Sequence, residues 1–243
     1  MRELPGGQVV LPTAENVAQR LAEVLALRLH DRLDQAERVH VALSGGATPK
    51  RLYSLLAQRA DLTADQWKRI HLWMVDERGV PAGDPRLNFT MIQETLVTKI
   101  PIPPAQVHPM PVERPEGDRI YEDELKAALG SETPRLDITI LGMGPDGHTA
   151  SLFPFTAALE AGSRQVVWNR GERVTAPRPR MTMTFGLINQ SRFTAVLVTG
   201  ETKRSALAAY HTGNHDVRAL PILGIRPAGD GDLTWFLDEA ANS

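Results

Sequence analysis

Short apolar runs alternate along this chain with stretches in which apolar residues recur every three or four positions. The first spacing is typical of buried strands and the second of amphipathic helices, so the chain predicts strands alternating with helices. The predicted strands cover residues 39–43, 70–75, 136–141, 193–198, 220–225 and 233–237. The predicted helices contain the apolar positions Val17 to Leu25, Leu52 to Leu56, Ile92 to Leu96, Tyr121 to Leu129 and Leu207 to Tyr210, and Thr13 is the N-cap expected for the first.

The predicted strands are apolar on both faces, which is typical of parallel strands covered by helices. We therefore expect an α/β fold with a single doubly wound, mostly parallel sheet and helices on both faces. No break in composition and no internal repeat divides the chain, so residues 1–243 are expected to form one domain. Ligands of such sheets bind beyond the carboxyl ends of the strands, and the residues that follow each strand are the first candidates for function.

The composition narrows the class of protein. With 243 residues, 42% hydrophobic and 23% charged, the chain is neither disordered nor fibrous. Its net charge of −2 argues against nucleic acid as a partner, and no apolar run predicts a membrane span. The absence of cysteine excludes disulfides, thiolate metal sites and a cysteine nucleophile. No signal-peptide core stands at the start, so a cytoplasmic protein is expected.

The first candidate segment follows the strand at 39–43. Ser44, Gly45 and Gly46 stand between this strand and a helix for which Thr48 is the predicted N-cap and Pro49 the first residue. Two glycines at a helix start allow backbone N–H groups to surround an anion, with the helix dipole adding positive charge. A tight turn without a ligand explains the same residues, so the segment alone leaves both interpretations open.

The second candidate segment, Asp76, Glu77 and Arg78, follows the strand at 70–75. Two carboxylates and a guanidinium at a strand end suit acid–base catalysis or the binding of a substrate oxyanion. A solvated charged turn is the alternative.

The third candidate segment follows the strand at 136–141. Gly142, Gly144 and Gly147 form a literal G-x-G-x-x-G pattern. A dinucleotide site is rejected, because Pro154 leaves little room for the long helix that should follow and no acidic residue stands at the expected distance.

Asp146 and His148 lie in the same segment. A carboxylate two residues from an imidazole, on a glycine-rich loop at a strand end, can orient a general base. We therefore interpret His148 as a functional residue, with a purely structural histidine as the alternative.

Three cations add to this picture. Arg178 and Arg180 stand in a proline-restrained segment, and Lys203 follows the strand at 193–198. Together with the glycine loop they would form a phosphate site, although each alone suits a solvated side chain, and the sequence does not distinguish Arg178 from Arg180.

His211 and His215 have the four-residue spacing of a metal-binding pair. The intervening Gly213 breaks the helix that would align the two rings, so no metal site is predicted.

Taken together, the segments resemble the 6-phosphogluconolactonase family of the glucosamine-6-phosphate isomerase/deaminase-like superfamily. The resemblance runs through most of the chain and rests on five motifs in family order. These are residues 43–49, residues 76–78 with Val80, Pro81 and Asn88, residues 142–154, residues 179–184, and Gly200 with Lys203.

One local difference separates the two branches of this superfamily. Deaminases resemble D-G-H-x-A-F-N-E-P, with a glutamate near the histidine, whereas Phe153 occupies the glutamate's place here. The lactonases resemble the Ser-Leu-Phe-Pro version found at residues 151–154. Leu87, where a serine is usual, and Phe155, where a glycine is common, depart from the lactonase pattern.

The resemblance implies hydrolysis of a phosphorylated δ-lactone in the oxidative pentose phosphate pathway. His148 would activate water, Asp146 would orient the imidazole, and Arg78 or backbone N–H groups would stabilise the oxyanion. The expected phosphate ligands are Ser44, Gly45, Gly46, Thr48, Arg180 and Lys203, and the other expected substrate contacts are Asp76, Glu77, Asn88 and Gly144. No cofactor is implied. The sequence contains no G-x-S-x-G elbow, so no covalent intermediate is predicted. A sugar-phosphate isomerase or deaminase, or a non-catalytic sugar-phosphate-sensing domain, is the alternative.

Overall fold

A parallel β-sheet forms the centre of the computed structural model, which describes residues 3–131, 133–213 and 216–242. In chain order the strands are β1 (Gly7–Leu11), β2 (Val39–Leu43), β3 (Ile70–Met74), β4 (Asp76–Arg78), β5 (Val107–His108), β6 (Ile138–Gly142), β7 (Val166–Asn169), β8 (Arg180–Met183), β9 (Phe193–Val198) and β10 (Asp232–Asp238). The helices are α1 (Ala14–Gln35), α2 (Ala47–Leu56), α3 (Ala64–Trp67), α4 (Asn88–Thr95), α5 (Gly117–Leu129), α6 (Phe185–Ile188), α7 (Arg204–Thr212) and α8 (Glu239–Asn242).

The central sheet has seven strands in the order β1-β10-β9-β6-β2-β3-β5, and its paired strands all run parallel. Every residue of β2, β3 and β9 is buried, as strands covered on both faces require. The predicted α/β class with a mostly parallel sheet is therefore confirmed. Thr13 is the N-cap of α1, where its hydroxyl accepts a hydrogen bond from the Asn16 backbone N–H.

A second, smaller sheet was not predicted. It has three antiparallel strands in the order β4-β8-β7 and contains two of the candidate segments, since Asp76 pairs with Thr182 and Arg78 with Arg180. The chain passes from β3 in one sheet to β4 in the other across the single residue Val75. The strand β1 at the edge of the central sheet was also missed.

Two sequence predictions are wrong in detail. Residues 220–225 were expected to form a strand, but Pro221–Gly224 is a 3₁₀ helix, because proline has no N–H for a strand ladder. Thr48 was expected to cap α2, but Gly46 is the N-cap and Thr48 lies in the first turn. Gly46 has a φ of 119°, which glycine adopts far more readily than other residues.

The strand order places the candidate segments side by side. The chain continues from β2 towards β3 and β5 on one side, whereas β6, β9 and β10 lie on the other. A crevice forms at such a switch point, beyond the carboxyl ends of the two strands. At this point the Ser44 hydroxyl, which directly follows β2, donates a hydrogen bond of 2.6 Å to the Ile140 carbonyl in β6.

In the described part of the chain, no helix combines the length and the apolar character that a bilayer crossing requires. His211 lies at the end of α7, and His215, its companion in the histidine pair of the sequence, falls outside the described residues.

Tyr121 holds the end of β3, where the chain leaves the central sheet. Its hydroxyl accepts a hydrogen bond of 2.7 Å from the Met74 N–H and donates one of 3.0 Å to the His108 carbonyl. Tyr121→Phe leaves the buried Met74 N–H without this partner and should lower the free energy of unfolding by about 1–3 kcal/mol, measured by urea denaturation. Ser54→Ala, which removes a partly exposed hydroxyl that donates to the Lys50 carbonyl in the same helix, is the control, and equal losses in the two variants would contradict this role.

Candidate active site

A cavity of about 620 Å³ lies beyond the carboxyl ends of β9, β6, β2 and β3. Eleven of the predicted site residues line it: Ser44, Gly45, Gly46, Thr48, Asp76, Arg78, Asn88, Gly144, His148, Arg180 and Lys203. The remaining two, Glu77 and Asp146, are not part of the lining. Segments far apart in the sequence therefore meet in one cavity, as the strand-end rule predicts.

His148 and Asp146 form a hydrogen-bonded pair. The distance from His148 Nδ1 to Asp146 Oδ1 is 2.5 Å, and the same carboxylate oxygen accepts the His148 backbone N–H at 3.1 Å. Burial acts to raise the pKa of Asp146, but the hydrogen bond and charge of His148 outweigh it and lower that pKa below its usual value. The Asp146 carboxylate accepts the Nδ1–H of His148, so Nε2 is the ring nitrogen that does not face Asp146.

The shape of the surrounding loop fixes this pair. A Cβ atom at Gly144 would lie 2.1 Å from His148 Nδ1 and 2.8 Å from Asp146 Oδ1, so only glycine leaves room for the two side chains. The buried Phe153 ring lies 4.3 Å from the His148 ring, measured between centroids. The imidazole therefore has close neighbours in both the Gly144 backbone and an aromatic ring.

The glycine loop after β2 has the backbone form of an anion site. Gly46 begins α2, whose first N–H groups have no partner within the helix. Gly45 allows the Asn88 side chain to lie close to the loop, because a Cβ atom at position 45 would lie 1.8 Å from Asn88 Oδ1. The Ser44 hydroxyl donates to Ile140, so Ser44 offers the cavity its backbone rather than a free hydroxyl proton.

Asp76 connects three segments around the cavity. Its carboxylate accepts hydrogen bonds from the Ser151 hydroxyl at 2.5 Å and from Asn88 Nδ2 at 3.2 Å. Ser151 belongs to the loop that contains His148, and Asn88 begins α4 beside the glycine loop. The buried carboxylate thereby fixes the histidine loop relative to α4.

The place of Glu77 in the structure differs from the one predicted from the sequence. It was expected to contact the substrate, but its carboxylate is buried outside the cavity lining and accepts the backbone N–H groups of Arg78, Asn88 and Phe89 at 2.7–2.8 Å. Burial raises the pKa of Glu77 to about 7 against the opposing effect of these hydrogen bonds. The structure therefore gives Glu77 the role of capping α4 and holding the Arg78 backbone.

Three cations line the cavity. Arg180 is buried, and its Nε donates to the Pro177 carbonyl at 2.7 Å, while its Nη1 lies 4.0 Å from the Asp76 carboxylate. Burial lowers the pKa of both Arg180 and Lys203. Arg78 Nε is buried and has no hydrogen-bond partner in the described structure. The structure also separates the two arginines that the sequence did not, since Arg178 donates to the Glu172 carbonyl outside the cavity lining.

Sequence reasoning missed several lining residues. Thr199 and Thr202 follow β9, and the Thr199 hydroxyl lies 2.5 Å from that of Thr48. The strand-end rule that selected Lys203 also points to Thr199. Ala150, within the motif at residues 142–154, and Thr175, for which the sequence carries no signal, line the cavity too. Within the described ranges, histidine and acidic side chains form no group of three or more that would suit a metal ion.

Comparison with known proteins identifies the family of this chain. The chain belongs to the family of glucosamine-6-phosphate isomerases and 6-phosphogluconolactonases, whose model matches residues 12–235. The predicted family is thus confirmed, and the chain is an enzyme of this family.

Individual relatives share most of the chain. The 6-phosphogluconolactonase of Synechocystis is 36% identical over 96% of this chain and 95% of its own length. The endoplasmic bifunctional protein GDH/6PGL of Homo sapiens is 37% identical over 98% of this chain, which spans 30% of that longer protein. The solved structure of 6-phosphogluconolactonase from Thermotoga maritima superposes with a TM-score of 0.81 at 28% identity, covering 96% of this chain and 99% of that one.

Gly144→Ala tests the steric origin of the histidine–aspartate pair. The added methyl group should displace the imidazole and break its hydrogen bond to Asp146, because no space exists for it. Imidazole nitrogen signals in ¹H–¹⁵N spectra should then lose the signature of a strongly hydrogen-bonded His148 Nδ1, while circular dichroism remains that of the wild type. Gly186→Ala, at an exposed position with only ordinary contacts, should leave the signals unchanged. An unaltered His148 signal in Gly144→Ala would contradict the steric argument.

Proposed function

We propose that this protein hydrolyses 6-phospho-D-glucono-1,5-lactone to 6-phospho-D-gluconate, a step of the oxidative pentose phosphate pathway. The observation that supports this most is that one cavity is lined by His148, which is hydrogen-bonded to Asp146, and by a group of anion-binding elements. Relatives bearing the name 6-phosphogluconolactonase, at about one-third identity over nearly the whole chain, support the same substrate.

The proposed reaction begins with water at the His148 ring. Nε2 takes a proton from the water as its oxygen attacks C1 of the lactone, and the carbonyl becomes a tetrahedral oxyanion. The bond between C1 and the ring oxygen then breaks, and the imidazolium returns the proton to that ring oxygen. Asp146 stabilises the imidazolium through Nδ1 in the interval. The proposal contains no covalent enzyme intermediate and no cofactor.

The oxyanion needs a donor at the cavity wall. Arg78 is the side chain we assign to it, because its buried Nε lacks a partner and its backbone is held by Glu77. An unpaired buried donor is costly unless a ligand satisfies it. General acid–base catalysis supplies about 10²–10⁴-fold and one oxyanion donor about 10²–10³-fold, which together suit an ester that already hydrolyses slowly in water.

The substrate phosphate is assigned to the glycine loop and to the cations that line the same cavity. The N–H groups of Gly45 and Gly46, the start of α2 and the side chains of Thr48, Arg180 and Lys203 supply donors and positive charge there. Ser44 contributes through its backbone, since its hydroxyl proton is engaged by Ile140. Asp76 and Asn88 also line the cavity, and we assign their remaining acceptor positions to substrate hydroxyl groups.

The alternatives fit less well. The deaminase motif has a glutamate five residues after the histidine, and here Phe153 stands in that place with its ring 4.3 Å from that of His148. A sensing domain would not need an ordered histidine–aspartate pair. Ammonia release from glucosamine 6-phosphate would favour the deaminase, and ligand binding without turnover of any phosphorylated lactone would favour the sensor.

His148→Asn removes the proposed base. Because asparagine cannot accept the water proton at neutral pH, kcat for lactone hydrolysis should fall at least about 10²-fold, measured by acid release in a pH-stat after subtraction of the spontaneous rate. His30→Asn, at a partly exposed site outside the cavity, should retain wild-type turnover. Wild-type turnover in His148→Asn would remove His148 from the mechanism.

Lys203→Ala removes a cation from the proposed phosphate site. Loss of one charge-assisted hydrogen bond should raise KM by about 10–100-fold with a smaller change in kcat, in the same assay. Lys50→Ala, an exposed lysine of α2 outside the cavity lining, is the matched control and should leave KM unchanged. An unchanged KM in Lys203→Ala would contradict the assignment of the phosphate site.

A further inference from the structure

A second cavity, of about 520 Å³, opens at the opposite edge of the central sheet. It lies at the amino ends of β2, β6 and β9, where Arg38, Asp137 and Arg192 stand immediately before or at the start of these strands. Its volume is within the range of about 300–1,000 Å³ that is typical of small-molecule sites. The proposed lactonase chemistry uses none of its residues.

The lining of this cavity is rich in arginine. Arg32, Arg38, Arg135 and Arg192 face two carboxylates, those of Glu37 and Asp137. This excess of positive charge is local, because the whole chain has a net charge of −2. Guanidinium groups bind phosphate and carboxylate groups through two parallel hydrogen bonds, so an arginine-lined cavity suits an oxyanion such as phosphate.

Existing ion pairs leave part of this charge free. Asp137 accepts Arg32 Nε at 2.9 Å and lies 3.4 Å from Arg192 Nε, so two guanidinium groups share one carboxylate. Arg135 pairs with Asp230 outside the lining. Arg38 is exposed and makes no ion pair or side-chain hydrogen bond with the described residues. All the donors of the Arg38 guanidinium are therefore available to a ligand.

His40 supplies an independent pointer to a ligand. The residue is only 6% exposed, and Trp73 Nε1 donates to its Nδ1 at 3.1 Å. Burial, with smaller effects from His71, His108 and Arg38 in that order, lowers the pKa of His40 to about 3, so the ring is neutral at physiological pH. With Nδ1 as acceptor, the single ring proton is on Nε2. This Nε2–H group has no partner in the described structure, and His40 lines the cavity.

We propose that this second cavity binds the phosphate group of a small phosphorylated metabolite or free phosphate. The Arg38 guanidinium and the His40 Nε2–H group would donate to the phosphate oxygens, and Arg192 would add the charge that Asp137 does not neutralise. The site is distinct from the proposed catalytic phosphate site, since β2 runs from His40 at one cavity to the glycine loop at the other.

The test follows the His40 imidazole directly in the full chain. The His40 nitrogen signals, assigned through the neighbouring Trp73 indole, are recorded during titration with inorganic phosphate and separately with glucose 6-phosphate. Low ionic strength keeps the exposed arginines unscreened. We expect a saturable shift of the Nε2 signal. Saturation by both compounds identifies the phosphate group as sufficient, whereas saturation by glucose 6-phosphate alone adds contacts to the sugar.

Three variants separate this site from the active site. Arg38→Ala, at an exposed position where folding is not at risk, should weaken the affinity read at His40 at least about tenfold. Arg20→Ala, an exposed arginine outside both cavities, should leave that affinity unchanged, and so should Lys203→Ala. The proposal is overturned if the His40 signal does not move, if Arg38→Ala and Arg20→Ala bind alike, or if the shift disappears in Lys203→Ala.

Discussion

The parallel alignment of β9, β6, β2 and β3 is the constraint on which both cavities depend. Parallel strands bring all their carboxyl ends to one edge and all their amino ends to the other, so every strand contributes to both edges. The hydrogen bond from the Ser44 hydroxyl to the Ile140 carbonyl connects the end of β2 to β6, at the point where the order of the strands reverses. Without that register, the histidine loop and the glycine loop would not share a cavity.

Within this frame, close approaches determine the detail of the candidate active site. Gly45 gives space to the Asn88 amide, and Gly144 gives space to the imidazole. Asp76 then fastens the loop of Ser151 to the start of α4. The cavity wall is therefore held by buried hydrogen bonds rather than by surface ion pairs, which contribute little to stability.

Local patterns predicted much of this arrangement. The apolar spacing located β2, β3, β6, β9 and β10 to within two residues at either end. The strand-end rule, together with the cationic segments and the family resemblance, selected eleven of the lining residues. The roles of Glu77 and Ser44 were not predictable, because each depends on partners that the fold brings from elsewhere: the α4 N–H groups for Glu77 and the Ile140 carbonyl for Ser44. The small sheet was missed because a three-residue charged strand has no apolar period to recognise.

The space at Gly144 has a consequence for how newly sequenced members of the family are sorted. A chain can keep the letters D-G-H and still lose the pairing of the two side chains, if any residue with a Cβ atom stands two positions before the aspartate. A comparison of family sequences should therefore consider this glycine together with the histidine and the aspartate.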